Sequence, residues 1–219
     1  MKRPLINKYI LFFYILLFVQ SLFSQTIEKW YLNMPDKLNP TLSKQNRLEL
    51  LEYYKVRQGD SITNRFGNKA RVLVFDSINR CLIVKSTPST TFEMQIFNTE
   101  VGVPFLGIIN TVCAPVCHSN LQFYDTTWNS IPIQFTMPKA IEWLNKDSLD
   151  NKNIDKEWVE QQLENTYITL TFDGVNLLII ANNNSLEFMS ETDRKLISPF
   201  INDKKFIYKL KNKIWMKQS

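Results

Sequence analysis

Residues 70–96 read ARVLVFDSINRCLIVKSTPSTTFEMQI. Phe92, Met94 and Ile96 alternate with Glu93 and Gln95. That period of two marks a strand with one packed face and one wet face. Two short breaks, Ser77-Ile78-Asn79-Arg80 and Thr87-Pro88-Ser89, divide the stretch into three strands. They run Ala70 to Asp76, Cys81 to Ser86, and through Phe92 to Ile96. Turns this short between strands make sequence neighbours into antiparallel sheet neighbours.

The same reading extends in both directions. Upstream, Ser61 to Phe66 and Ala70 to Asp76 flank Gly67-Asn68, a hairpin signal. Before that, Asn39 and Pro40 suit the start of a helix that carries Leu42, Leu48, Leu51 and Tyr54 on one face and stops at Gly59. Downstream, Pro104 to Cys113 and Asn120 to Thr127 form the next strand pair. Short helices are expected over Lys139 to Asn145 and Asp155 to Glu164, with a charged loop between them. Ile168 to Phe172 and Val175 to Ala181 flank the turn signal Asp173-Gly174. A helix over Thr192 to Phe200 and a hairpin of Lys205 to Leu210 with Ile214 to Lys217 complete the chain. The expected class is α+β: an antiparallel β-meander with an N-terminal helix and short helices inserted between later hairpins. Five glycines are few for a closed barrel with kinked corners.

Residues 1–24 have the pattern of a secretory signal peptide. Lys2, Arg3 and Lys8 precede an apolar run from Tyr9 to Val19, and small and polar residues follow up to Ser24. The run is shorter than the roughly 20 residues of a spanning helix. Cleavage after Ser24 would leave residues 25–219 as one domain, with no integral span, in the periplasm or at the cell surface. Three of the 26 basic residues would leave with the peptide, so 23 would face 21 acidic ones, a net charge of +2. A near-neutral surface is no footprint for nucleic acid. The lysines near the C-terminus, Lys204 to Lys217, alternate with apolar residues as on a solvated strand face.

The chemistry-bearing residues are few. Of the three cysteines, Cys113 and Cys117 bracket Ala-Pro-Val between two strands. In an oxidising compartment such a pair favours a disulfide that fixes the bend. A redox pair with His118 as base and a metal site are the alternatives. Cys81 is left as a buried free thiol. His118 is the only histidine, so any Ser–His–Asp or Cys–His mechanism must run through it. No G-x-S-x-G, phosphate-binding glycine loop or H-E-x-x-H occurs, so no cofactor is expected. Glu93 with Asp125 would be a glycosidase-like pair only if folding set the right separation. Tyr53, Tyr54, Phe123, Tyr124, Trp128, Trp143 and Trp158 either line a groove or, as aromatics at strand and helix periods usually do, fill the core. Trp30 and Tyr31 are either exposed or staple the N-terminus to the sheet.

The segment from Thr111 to Trp128, TVCAPVCHSNLQFYDTTW, resembles the central signature of an uncharacterised family of exported Bacteroidetes proteins, a domain of unknown function. So do Met34-Pro35-Asp36 with Leu38, Pro40, Leu42 and Asn46-Arg47-Leu48, then Thr63 to Gly67, and Ser198-Pro199-Phe200-Ile201. The resemblance implies export and places Cys113 and Cys117 in the family's pattern. It lends no activity. Family members tend to carry an acidic residue where this chain has His118. The expectation is an exported, non-catalytic envelope protein that binds a partner or ligand, through the cysteine turn and the loop Lys146 to Asn153. The alternatives are a thiol–disulfide enzyme using Cys113, Cys117 and His118, and a carrier holding an apolar molecule between the Asn39 helix and the sheet.

Overall fold

The computed structural model describes residues 26–57, 59–150 and 155–218. The expected signal peptide lies outside these residues, as does the end of the expected contact loop. The architecture is α+β: two antiparallel sheets, a pair of N-terminal helices and several short helices.

The first sheet is a six-stranded meander, β1 to β6 in chain order: Ile62–Thr63, Lys69–Asp76, Cys81–Thr87, Thr90–Asn98, Pro104–Cys113 and Cys117–Tyr124. The second has four strands in the order β10-β9-β8-β7, where β7 is Ile168–Asp173, β8 Leu178–Asn183, β9 Phe206–Lys211 and β10 Ile214–Lys217. β6 begins at Cys117, three residues earlier than expected, because the cysteine turn pairs Cys113 directly with Cys117. β8 begins later than expected, because Asp173 accepts backbone N–H bonds from Val175 and Asn176 and so widens the turn. The β1–β2 turn spans Asn64 to Asn68, with Gly67 at φ +79°. The Asn64 side chain closes it by accepting from the Phe66 and Asn68 N–H groups.

The N-terminal helices are α1, Ile27–Asn33, and α2, Lys44–Val56. The expected start at Asn39 is wrong by one turn. Ser43 is the N-cap, in a capping box with Asn46. Asn39 is instead buried and donates to Ser86 Oγ at 3.3 Å, and Thr41 donates to its side-chain oxygen. The inner face of α2 carries Arg47, Leu50 and Leu51, whereas Leu48 points to solvent. Trp30 and Tyr31 on α1 are buried, so they staple the N-terminus to the sheet.

Arg47 organises this corner at 1 % exposure. It donates to the Met34 carbonyl at 2.6 Å, the Leu42 carbonyl at 2.8 Å and Asp36 Oδ1 at 3.0 Å. A guanidinium has enough fixed donors to tie several acceptors at once. Here it joins the segment before α2 to the helix itself. Met34, Asp36, Leu42 and Arg47 are therefore one contact set.

The remaining helices are smaller. Lys139 to Asn145 yields only a 3-10 turn, Ala140–Trp143. The first residues of the expected charged loop form helix α3, Lys146–Asp150, with Leu149 buried. Asp155 caps α4, Lys156–Gln162, as expected. The helix α5, Glu191–Ile197, passes into a 3-10 turn over Ser198–Phe200. Ala140, Leu149, Val159, Leu163, Ile197 and Phe200 pack together as a side core.

The expectation that the meander keeps one wet face is overturned. Phe92, Met94, Ile96, Leu106 and Ile108 pack with α1 and α2 in one core. On the opposite face Phe97, Phe105, Ile109 and Phe123 pack with Ile168, Leu170, Ile179 and Trp215 of the second sheet. Glu93 and Gln95, which the alternation placed in water, are buried under that second sheet. Helices, meander and second sheet thus form three layers.

Candidate functional site

β7 is an edge strand of the second sheet, and it lies across the second face of the meander. Its N–H groups at Ile168, Leu170 and Phe172 point away from β8 and have no strand partner. Three side chains of the meander accept from them. His118 Nδ1 takes Ile168 N–H at 3.2 Å, Ser119 Oγ takes Leu170 N–H at 2.9 Å, and Glu93 Oε2 takes Phe172 N–H at 3.2 Å. Beyond them a Cβ on Gly174 would stand 3.1 Å from Cys81 Sγ and 3.1 Å from Gln95 Oε1. The crossing is close because Gly107 has no side chain. A Cβ there would come within 2.8 Å of the Phe172 ring.

This contact engages several of the residues that the sequence singles out. His118 is exposed at its strand and aims Nδ1 at the β7 backbone, and Asn184 ties the same corner by donating to the Cys117 carbonyl at 3.2 Å. Successive strand residues leave on opposite sides. At this edge of the sheet His118 nevertheless reaches β7 beside Ser119, its Nδ1 is engaged by Ile168 N–H, and the Cys117 sulfur is bonded to Cys113. Cys113 and Cys117 are joined as a disulfide, with their Cα atoms 3.8 Å apart, nearer than the separation most disulfides have. Cys81 is half-buried rather than fully buried, and burial, with Asp76 and Glu93 nearby, pushes its thiol pKa up. A raised pKa leaves little thiolate to react.

Glu93 is 5 % exposed, and burial pushes its carboxyl up to about 7, against the opposing pull of the Phe172 N–H bond. It does not form a pair with Asp125. Glu93 lies in register with Leu121 through Ile109, and Asp125 is four residues further, roughly 13 Å along the strand. The Asp125 carboxylate is also held below its ordinary range by Thr127 and Asn129, which donate to it within its own turn. Among the described residues no group of three or more His, Cys, Asp or Glu side chains could hold a metal ion.

The aromatics singled out in the sequence are mostly structural. Phe123 and Trp143 are core, Tyr124 packs on Trp128 at 5.8 Å, and Tyr53 is exposed on α2. The expected carrier site between the N-terminal helices and the meander is filled by Tyr31, Leu50, Leu51, Phe92 and Met94.

A cleft does open where three hairpin turns meet: β4–β5, β7–β8 and β9–β10. Its volume is about 480 Å³, within the range of small-molecule sites. Phe97, Phe105, Ile133 and Leu210 make an apolar lining, with Val101 and Leu177 from the turns. Glu100, Asn176, Lys209, Asn212 and Lys213 supply the polar groups. Glu100 is already engaged: it accepts the Asn212 N–H at 3.2 Å. With its amide nitrogen turned to the carboxylate, Asn212 also donates to both oxygens, at 2.7 and 2.8 Å. None of the aromatics flagged in the sequence lines this cleft. The signal that was available is the turn Thr99-Glu100-Val101-Gly102-Val103, whose valines are 84 % and 55 % exposed where a hairpin tip needs no apolar residue.

Fold and site together define a two-sheet α+β protein with an amphipathic cleft at its turn end. The chain belongs to the family described as "Protein of unknown function (DUF3256)", whose pattern matches residues 19–215. Among curated proteins none matches. A solved domain of an uncharacterised protein from Porphyromonas gingivalis W83 is similar in fold, with a TM-score of 0.71 at 16% identity over 88% of this chain and 97% of that one.

Proposed function

We propose that this chain is an exported, non-catalytic protein of the cell envelope, periplasmic or at the cell surface, that binds a ligand in the cleft at its turn end. The cleft carries the reading: an apolar lining with a few polar groups at its mouth is the usual make-up of a small-molecule site. Export is supported by the charge and apolar pattern of residues 1–24 and by a disulfide, which suits an oxidising compartment. The thiol–disulfide alternative loses support from the engagement of His118 with Ile168. The apolar-carrier idea survives only if its seat moves from the helix side of the meander to this cleft.

The test uses a neutral apolar dye, N-phenyl-1-naphthylamine, whose fluorescence rises in apolar surroundings. A saturable rise is expected with the protein, and its loss in the exposed double variant Val101→Asp/Leu177→Asp. A protein that gives no rise, or a variant that binds as well as the parent, overturns the reading.

A further inference from the structure

We propose that the ligand of this cleft is a single apolar chain ending in an anionic head, a proposal that rests on the cleft being the binding site. Phe97, Phe105, Ile133 and Leu210 offer only carbon to a guest, which selects an alkyl or similar apolar body. The charge at the mouth selects the head. The one carboxylate there, Glu100, already takes its hydrogen bonds from Asn212. Lys209 and Lys213 line the same cleft, and among the described residues neither amine has a carboxylate or hydrogen-bond partner. Two unmatched cations beside one satisfied anion leave a positive excess at the rim of an apolar hole. A fatty carboxylate and an alkyl phosphate share the complementary chemistry, one buried tail and one partly solvated negative head.

Four probes with a ten-carbon chain, decanoate, decyl phosphate, decanol and decyltrimethylammonium, are titrated below their aggregation thresholds while the amide NMR spectrum is followed. Decanoate or decyl phosphate should bind more tightly than decanol, by up to about fivefold, the upper end of what exposed ion pairs supply. The ammonium should bind more weakly than decanol. The affected amides should be those of Thr99 to Val103 and Asn212 to Lys213. The preference should shrink at high salt and vanish in Lys209→Gln/Lys213→Gln, whose spectrum reports that it is folded. Which anionic probe binds better identifies the source, carboxylate or phosphate. Equal binding of decanol and the anions overturns the head-group assignment and leaves the cleft standing. A preference for the ammonium does the same. Failure of all four probes, in a protein that also ignores the neutral dye, sinks the cleft itself.

Discussion

The two faces of the meander are built on opposite plans. The helix-side face is mostly carbon, from Val84 across Phe92 and Met94 to Ile108, and its buried polar groups include Arg47, Asn39 and Ser86. The other face places Glu93, Gln95 and Ser119 inside the layer, and two of these hold the backbone of a strand from the second sheet. Gln95 donates to the Asn79 and Ile96 carbonyls, while its own oxygen has no partner. One interface gains from removing apolar surface from water. The other also depends on hydrogen bonds whose loss would strand buried donors. A single sheet thus carries one joint held mainly by packing and one held by packing and hydrogen bonds.

Three variants test this contrast. The largest effect should come from the carbon face. Phe92→Ala would open a cavity beside Tyr31 and should lower unfolding free energy by about 4 kcal/mol, measured by denaturant titration. A loss under about 1 kcal/mol would mean that the helices are poorly seated. Glu93→Gln reads the other face through pH. The folded carboxyl titrates near 7, above its ordinary 4.5, so the native state binds more protons than the unfolded state between those values. Parent stability should therefore be greatest below about pH 4.5 as far as Glu93 is concerned, and should fall as pH rises through 7. Glu93→Gln keeps an acceptor for Phe172 N–H and removes the charge. It should flatten that slope and be more stable than the parent by about 3 kcal/mol at pH 8, with no difference near pH 4. Curves that stay parallel from pH 4 to 8 would show that Glu93 is wetter than its surroundings imply. The smallest effect belongs to the cysteine turn. Cys113→Ser/Cys117→Ser should cost about 2 kcal/mol, since the loop it closes is short. Loss of the native fold would instead give that bond a larger part in holding β6 under β7.

Antiparallel neighbours, the Asp155 cap and the cysteine bend were all legible in the chain, because each depends on local spacing. What was not legible depends on layers meeting. Glu93 and Gln95 have the polar alternation of a wet strand face, and only the arrival of β7 makes them buried. The start of α2 was misplaced because Asn39 and Ser43 both suit an N-cap, and the bond from Asn39 to Ser86 bridges 47 residues of sequence. The cleft is hidden from the sequence for the same reason. Phe97, Ile133 and Leu210 come from segments far apart in the chain, and nothing local marks them as companions.

The capped margin of β7 also bears on how the protein behaves in a crowd. A bare strand margin is a template onto which another chain can add a strand, the first step toward swapped dimers and fibres. Here the Ile168, Leu170 and Phe172 N–H groups of that margin are each occupied by a side chain from the same molecule, and the meander stands where an incoming strand would have to lie. The groups that seat one sheet on the other thereby also close this margin to an added strand.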